Sequence, residues 1–240
     1  MRFKSFCAAL LLVLLPSLGN AAPLRIVLTD SNTMPLADIQ DFQLKGGMLF
    51  ELGNAIAQEM GRKATFITLP RKRIAQALID GKADLICNQN QAWLVGPFDW
   101  SKNFIPHVEL LVSNQNQVRP MQMSDMSNIP IGTILGFNYV EMRQQLGNQF
   151  IRDDSLGPKN NLLKLNAGHV NHIIIPQYIL EYQQKIGNLK VKIHPYLVIK
   201  DQPAACAVSR SGQIKLADLN RAITNLEKRN KLKPIFERYR

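Results

Sequence analysis

The chain has 240 residues, 46% of them hydrophobic, enough for one large domain or two small lobes with a full core. Past the N-terminus no apolar run approaches the ~20 residues needed to cross a bilayer, which excludes a spanning helix there. The formal charge of +11 points to an acidic ligand, partner or surface, and without a basic motif interleaved with aromatics it argues against nucleic acid.

The first residues read as an export leader. Arg2 and Lys4 are basic, Cys7 to Leu15 is apolar, Pro16 breaks the run, and Gly19-Asn20-Ala21 gives the small-x-small cleavage pattern. Residues 1–21 are the expected signal peptide, cut after Ala21, and the mature chain is expected in the periplasm. A retained anchor fits less well because the apolar stretch is short, and Cys7 lies too early to carry a lipid. Losing Arg2 and Lys4 lowers the charge from +11 to +9. Much of that charge lies in the last twenty residues, flanking an apolar helical stripe, as on a solvated face. Cys87 and Cys206 remain. In an oxidising compartment such a pair permits a disulfide, and two buried free thiols fit as well.

Leu24 to Thr29 is a short apolar strand with Asp30-Ser31-Asn32 at its carboxyl end. Lys45-Gly46-Gly47 reads as a turn into a helix with Met48, Leu49, Leu52, Ile56 and Met60 on one face and Gly61 past its end. Ala64 to Leu69 alternates as a strand and stops at Pro70. Pro70 suits a first helical turn, Ile74, Ala77 and Leu78 share a face, and Gly81 supplies the left-handed cap. Ala83 to Cys87 is a buried strand, and Asn88-Gln89-Asn90-Gln91 follows it. This β-α-β-α-β series implies a parallel sheet with helices on its faces. Ligands bind beyond the carboxyl ends of such strands, which places Asn88 and Gln89 to hold a small molecule; a solvated amide loop is the plain alternative.

Val108 to Ser113 is another strand, and residues 114–127 form a polar connection. Ile129 to Ile134 opens a second β-α series. Leu135 to Tyr139 is a tight turn into a helix with Val140 and Met142. Phe150-Ile151 reads as a short strand, and Asn160 or Asn161 as the cap of a helix with Leu162, Leu163 and Leu165. Val170 to Ile175 is a buried strand ending at Pro176, residues 178–184 a helix, and Leu189 to Ile193 a last strand. His194 to Pro203 crosses back. Ala204 to Ser209 is a strand, Leu216, Leu219, Ile223 and Leu226 make a helix stripe, and Leu232, Ile235 and Phe236 a final short helix. The predicted fold is α/β, with two Rossmann-like lobes joined by two crossings near Val112-Ser113 and His194-Pro195. Lobe one takes residues 22–112 and 195–240, lobe two residues 113–194.

This pattern resembles the extracytoplasmic solute-binding proteins of polar amino-acid ABC transporters, solute-binding protein family 3 with the type 2 periplasmic binding protein fold. LRIVLTD with the later MPL, GGMLFELGNAIAQEMG, ALIDGKADLI, FDWSKNF, IGTILGFNY, NAGHVNHIII, PAACAVSR and LADLNRAITNLEKRNKLKPIFERY carry the likeness, in order, over about 215 residues. The Pro70-x-x-Arg73 spacing is similar to a subgroup with an arginine at that place. The resemblance implies a monomeric clamp whose lobes close on a small solute, without metal or cofactor, serving an inner-membrane ABC permease or a membrane sensor. It also implies that the return strand lies beside the third strand, which allows a Cys87–Cys206 bridge.

The sequence departs from the amino-acid-binding pattern in its charges. Those binders place an arginine shortly after the third strand; here the segment is NQNQAWLVGP. Gln177, after Pro176, stands where an acidic residue receives the ligand ammonium, and Leu49 replaces the acid of the first helix. Arg71 and Arg73 are the alternative cations, since a positive charge in a first helical turn opposes the dipole and needs a reason. Trp93 offers a stacking surface. Gly136, Phe137, Asn138 and Tyr139 open a helix whose N–H groups suit an anion, and Asp30 and Ser31 stand at the first strand end. Ordinary packing, turn or solvated roles compete for each. Among His107, His169, His172 and His194, His169 and His172 flank the lobe-two strand, where one of the two can point at the cleft, with no carboxylate or cysteine at metal-ligand spacing. The expected function is capture of a small polar or anionic solute for an importer. A sensory or partner-binding module is the alternative, and a dehydratase-like enzyme a more distant one.

Overall fold

The computed structural model describes residues 21–41 and 43–239, so the expected leader lies, but for Ala21, outside the described residues. Strand β1 (Leu24–Thr29) leads to a hairpin of β2 (Asp38–Gln40) and β3 (Gln43–Gly46), then to α1 (Met48–Glu59), β4 (Ala64–Leu69), α2 (Arg71–Ile79), β5 (Leu85–Gln89) and β6 (Asp99–Trp100). The second half begins with β7 (Val108–Ser113), β8 (Ile131–Ile134), α3 (Val140–Leu146), β9 (Arg152–Ser155) and α4 (Pro158–Asn166). It continues with β10 (His172–Pro176), α5 (Gln177–Lys185) and β11 (Leu197–Asp201). The chain closes with β12 (Ala205–Val208), α6 (Leu216–Lys228) and α7 (Leu232–Glu237).

Two five-stranded sheets result. The first runs β4-β1-β5-β12-β6 and the second β11-β7-β10-β8-β9. β1 pairs in parallel with β4 and β5, and β12 returns antiparallel between β5 and β6. In the second sheet β10, β8 and β9 are parallel, while β7 runs antiparallel to β10 and β11. Apolar periodicity puts Met48, Leu49, Leu52, Ile56 and Ala57 of α1 in the core. Gly53 lets that helix settle on the sheet: a Cβ there would stand 2.7 Å from side-chain atoms of Ile26 and Phe66. Asp84 is fully buried, accepts hydrogen bonds from Arg25 N, Nε and Nη2 and from Gln213 N, and so fastens β1 to the return segment. The predicted glycine stops at 61 and 81 take positive φ, as do Gly168 and Gly187 just past α4 and α5.

The sheets correct several sequence expectations. β7 and β11 pair within the second sheet, so the chain passes between sheets at residues 101–107 and 202–204 rather than at Val112-Ser113 and His194-Pro195. The two crossings run together through a bridge between Ile105 and Ala204. Leu189–Ile193 is not a strand and makes one isolated bridge, Asn114 with Ile193. The strand expected at Phe150-Ile151 lies at Arg152–Ser155. Asn161 does not cap α4, which starts at Pro158. It sits buried inside the helix, and its Nδ2 donates to the carbonyls of Gly132 (3.0 Å) and Ile174 (3.3 Å), tying β8 to β10.

Candidate functional site

A cavity lies between the two sheets, at the carboxyl ends of β1, β5, β8 and β10. Its first-sheet wall holds Thr29, Ser31, Asn32, Thr33, Leu36, Arg71, Asn88, Gln89 and Trp93. Opposite stand His107, Glu109, Ile134, Phe137, Asn138, Tyr139, Pro158, Ile174, Pro176, Tyr178 and Ile179. The cavity is narrow, with a volume of about 70 Å³.

Local chemistry sets each wall residue. Pro70 starts α2 and turns Arg71 inward; Arg73, about 200° further round the helix, is exposed. Arg71 Nη2 donates to the Trp93 carbonyl (2.9 Å), and its Cζ lies 4.4 Å from the centre of the Phe137 ring. Burial pushes the Arg71 pKa down, and no carboxylate of the described residues pairs with it. Asn90 Oδ1 accepts from the N–H groups of Ala92 (2.9 Å) and Trp93 (3.0 Å), a side-chain-closed turn that positions the indole. Asn88 takes φ 59 within β5, and its Nδ2 donates to the Tyr178 hydroxyl across the cavity (3.1 Å). The His107 ring lies 4.6 Å from Trp93 and 5.9 Å from Tyr178, centroid to centroid. Thr29 Oγ1 and Ser31 Oγ share a hydrogen bond of 2.9 Å. The Tyr139 hydroxyl accepts from Ile134 N–H (2.8 Å), holding the turn that presents Phe137 and Asn138.

Of the predicted site residues, Ser31, Arg71, Asn88, Gln89, Trp93, Phe137, Asn138 and Tyr139 line the cavity. Four do not. Asp30 is turned to solvent just past β1, and Arg73 lies on the outer face of α2. Gly136, at φ 80, is on the outside of its turn. Gln177 bonds to Glu181 (2.6 Å) along α5 while its neighbours Tyr178 and Ile179 face the cavity. Asn88 and Gln89 are corrected in placement: they belong to β5 itself and are buried. The histidine in the wall is His107, not His169 or His172. His172 shares a hydrogen bond of 2.8 Å with Ser113 and lines, with His169, a separate groove at the far end of β10.

Several wall atoms are buried without a partner: Thr33 Oγ1, Asn88 Oδ1, Gln89 Oε1 and both ring nitrogens of His107. Burial pushes the His107 pKa down to about 4, with Lys200 adding to the effect. Burial, and then the charge of Glu141, pushes Glu109 up to about 7 against Lys200. Sequence reasoning missed His107, Glu109 and Tyr178. The one available signal was the lone acid in the otherwise apolar Val108–Val112, since a carboxyl in a buried strand requires a partner or a cavity.

Two lobes with one polar cavity between them are the build of a solute clamp. The sequence profile of the bacterial extracellular solute-binding proteins, family 3, matches residues 26–240. The chain belongs to that family. No curated protein matches it. Among solved structures, an ancestral arginine-binding protein bound to arginine shares 20% identity at a TM-score of 0.74, over 90% of this chain and 97% of the other. The periplasmic VFT2 domain of Bordetella pertussis BvgS shares 16% at 0.73, over 92% and 94%. The GluR0 ligand-binding core of Nostoc punctiforme, in complex with L-glutamate, shares 14% at 0.72, over 90% and 99%. This family member therefore has the type 2 periplasmic binding protein fold.

Proposed function

We propose that this solute-binding protein works in the periplasm, closes its lobes on a small polar solute bearing an anionic group, and delivers it to an ABC importer. The observation that carries the reading is the cavity wall. It contains a half-buried arginine with no carboxylate partner, beside Asn88, Gln89, Thr33 and His107 atoms that lack hydrogen bonds. Each unmet buried group costs about 1–3 kcal/mol, and a polar ligand supplies the missing partners. Arg71 is the anion's counter-charge, because it keeps four N–H donors after the bond to Trp93.

The test is a thermal-shift screen of the mature protein against amino acids, organic acids, polyamines and small phosphorylated compounds. A compound that binds only the folded state raises the melting temperature by mass action. An anionic compound should do so, and Arg71→Ala should weaken it by about 2–5 kcal/mol, roughly 30-fold or more. An undiminished shift in Arg71→Ala, or no shift with any compound in well-folded protein, would overturn the reading.

A further inference from the structure

The cavity wall mixes open hydrogen-bond donors with open acceptors, and the mixture narrows the class of solute. Asn88 Nδ2 donates to the Tyr178 hydroxyl, which leaves Asn88 Oδ1 open as an acceptor, and Gln89 Oε1 is open as well. The Thr33 hydroxyl lacks a partner and can act in either sense. Burial holds His107 neutral, so of its two unpartnered ring nitrogens one donates and the other accepts. Tyr178 accepts from Asn88 and keeps its own O–H to give. A hydroxyl group donates and accepts at once, whereas an ammonium only donates. An ammonium would meet the Asn88 and Gln89 oxygens but leave the His107 N–H and the Tyr178 O–H without an acceptor. A run of hydroxyls answers all of these groups.

The charges point the same way. Of the described wall residues, Arg71 is the one obligate cation and Glu109, 8% exposed, the one acid. Burial raises the Glu109 pKa to about 7, with Glu141 acting in the same direction and Lys200 against it, so the acid keeps its proton below neutrality. Lys200 and Glu141 pair with each other. The wall then carries one net positive charge, which a carboxylate balances and a phosphate dianion exceeds. Trp93, His107 and Tyr178 adjoin at centroid distances of 4.6 and 5.9 Å. Such apolar faces pack against the C–H side of a carbon skeleton whose hydroxyls point elsewhere. We propose that the solute is a polyhydroxylated carboxylate, held by its carboxylate on Arg71 and by its hydroxyls on Thr33, Asn88, Gln89 and His107. This rests on the Arg71 clamp proposed above and adds the chemistry of the rest of the solute. Glu109 gives its carboxyl O–H to a solute hydroxyl rather than pairing with a cation.

The experiment is calorimetry of the mature protein at about pH 6, where Glu109 keeps its proton. The probes are glycerate and gluconate, their amino counterparts serine and glucosaminate, their deoxy counterparts propionate and hexanoate, and glycerol phosphate. The better hydroxy acid should bind at least about tenfold more tightly than its amino counterpart, its deoxy counterpart and glycerol phosphate. Gln89→Leu should weaken that hydroxy acid by about fivefold or more and leave the deoxy acid unchanged. An amino counterpart bound as tightly as its hydroxy acid overturns the hydroxyl inference, and the clamp still stands if Arg71→Ala weakens both. A deoxy acid or glycerol phosphate bound as tightly also overturns it, as does an equal loss for hydroxy and deoxy acid in Gln89→Leu. Binding by none of these probes overturns it too; the clamp then stands if another anion shifts the melting temperature in the screen above, and falls with it if none does. If Gln89→Leu does not fold, the probe series on the wild type decides alone.

Discussion

His107 and Glu109 stand two residues apart where the first crossing enters β7, and their effects on stability have opposite signs. His107 is pushed down to about 4 from an ordinary 6.5. Between those values the unfolded chain binds more protons than the native one, so stability rises with pH. Glu109 is pushed up to about 7 from an ordinary 4.5. There the native state binds more protons, so stability falls as pH rises. The two slopes offset over their shared window. Glu109→Gln removes the falling limb, so the variant should gain on the wild type from pH 4.5 to pH 7 by about 3 kcal/mol. Urea unfolding midpoints across that range read the difference, and a pH-independent difference would mean that Glu109 titrates as an ordinary carboxyl. Sequence position alone marks Arg71, because a cation in a first helical turn opposes the dipole, and it marks Asn88 and Gln89 through their strand end. It does not mark His107, Glu109 or Tyr178. Whether a strand residue faces a cavity or a helix depends on what packs over it, and that is decided by distant segments.

At the scale of elements, periodic stretches were legible and edge elements were not. α1, α2, β1 and β4 follow the apolar spacing of their own residues and the glycines that stop them. β9 begins Arg-Asp-Asp, and β11 mixes Lys200 and Asp201 with Val198. Both are sheet edges, where one side of the strand meets solvent and the apolar signal thins. The β2–β3 hairpin was hidden for the same reason. β5 ends at Gln89, two residues beyond the expected end at Cys87, because buried amides look like solvated ones in composition. Its end is irregular: Asn88 takes φ 59, and the register with β12 shifts between Ala205 and Ala207. At that irregularity a disulfide joins Cys87 to Cys206 across the two strands. The bridge spans 119 residues and so encloses β6 and the whole second sheet. Constraining a loop of that length in the unfolded chain contributes about 3–5 kcal/mol. The double variant Cys87→Ala/Cys206→Ala should lose that much in non-reducing urea denaturation. A loss below about 1 kcal/mol would mean that β5 and β12 already stay paired in the denatured ensemble.

At the scale of the molecule, the order of helices and strands disclosed two lobes, but the crossings were displaced by several residues. β7 is apolar enough for either sheet, and only its pairing with β10 and β11 assigns it. With the crossings at 101–107 and 202–204, His107 lies at once in a crossing and in the cavity wall. Under the proposed clamp, lobe movement and solute contact share a residue. Several contacts join the two sheets at the cavity. Asn88 donates to Tyr178, Arg71 covers Phe137, and Gly157 approaches the Ser31 carbonyl so closely that a Cβ there would sit at 3.3 Å. Each of these contacts lies in or beside the cavity, so a solute that fills it adds to the same closure. Tyr178→Phe removes the hydroxyl and leaves Asn88 without any side-chain partner. The closed population of the empty protein should fall, and the apparent affinity with it, by a factor of about 2–10. Small-angle scattering should then show a more open empty variant that returns to the wild-type radius when the solute saturates it. Unchanged affinity together with an unchanged radius would mean that the solute and the crossings set closure without this bond.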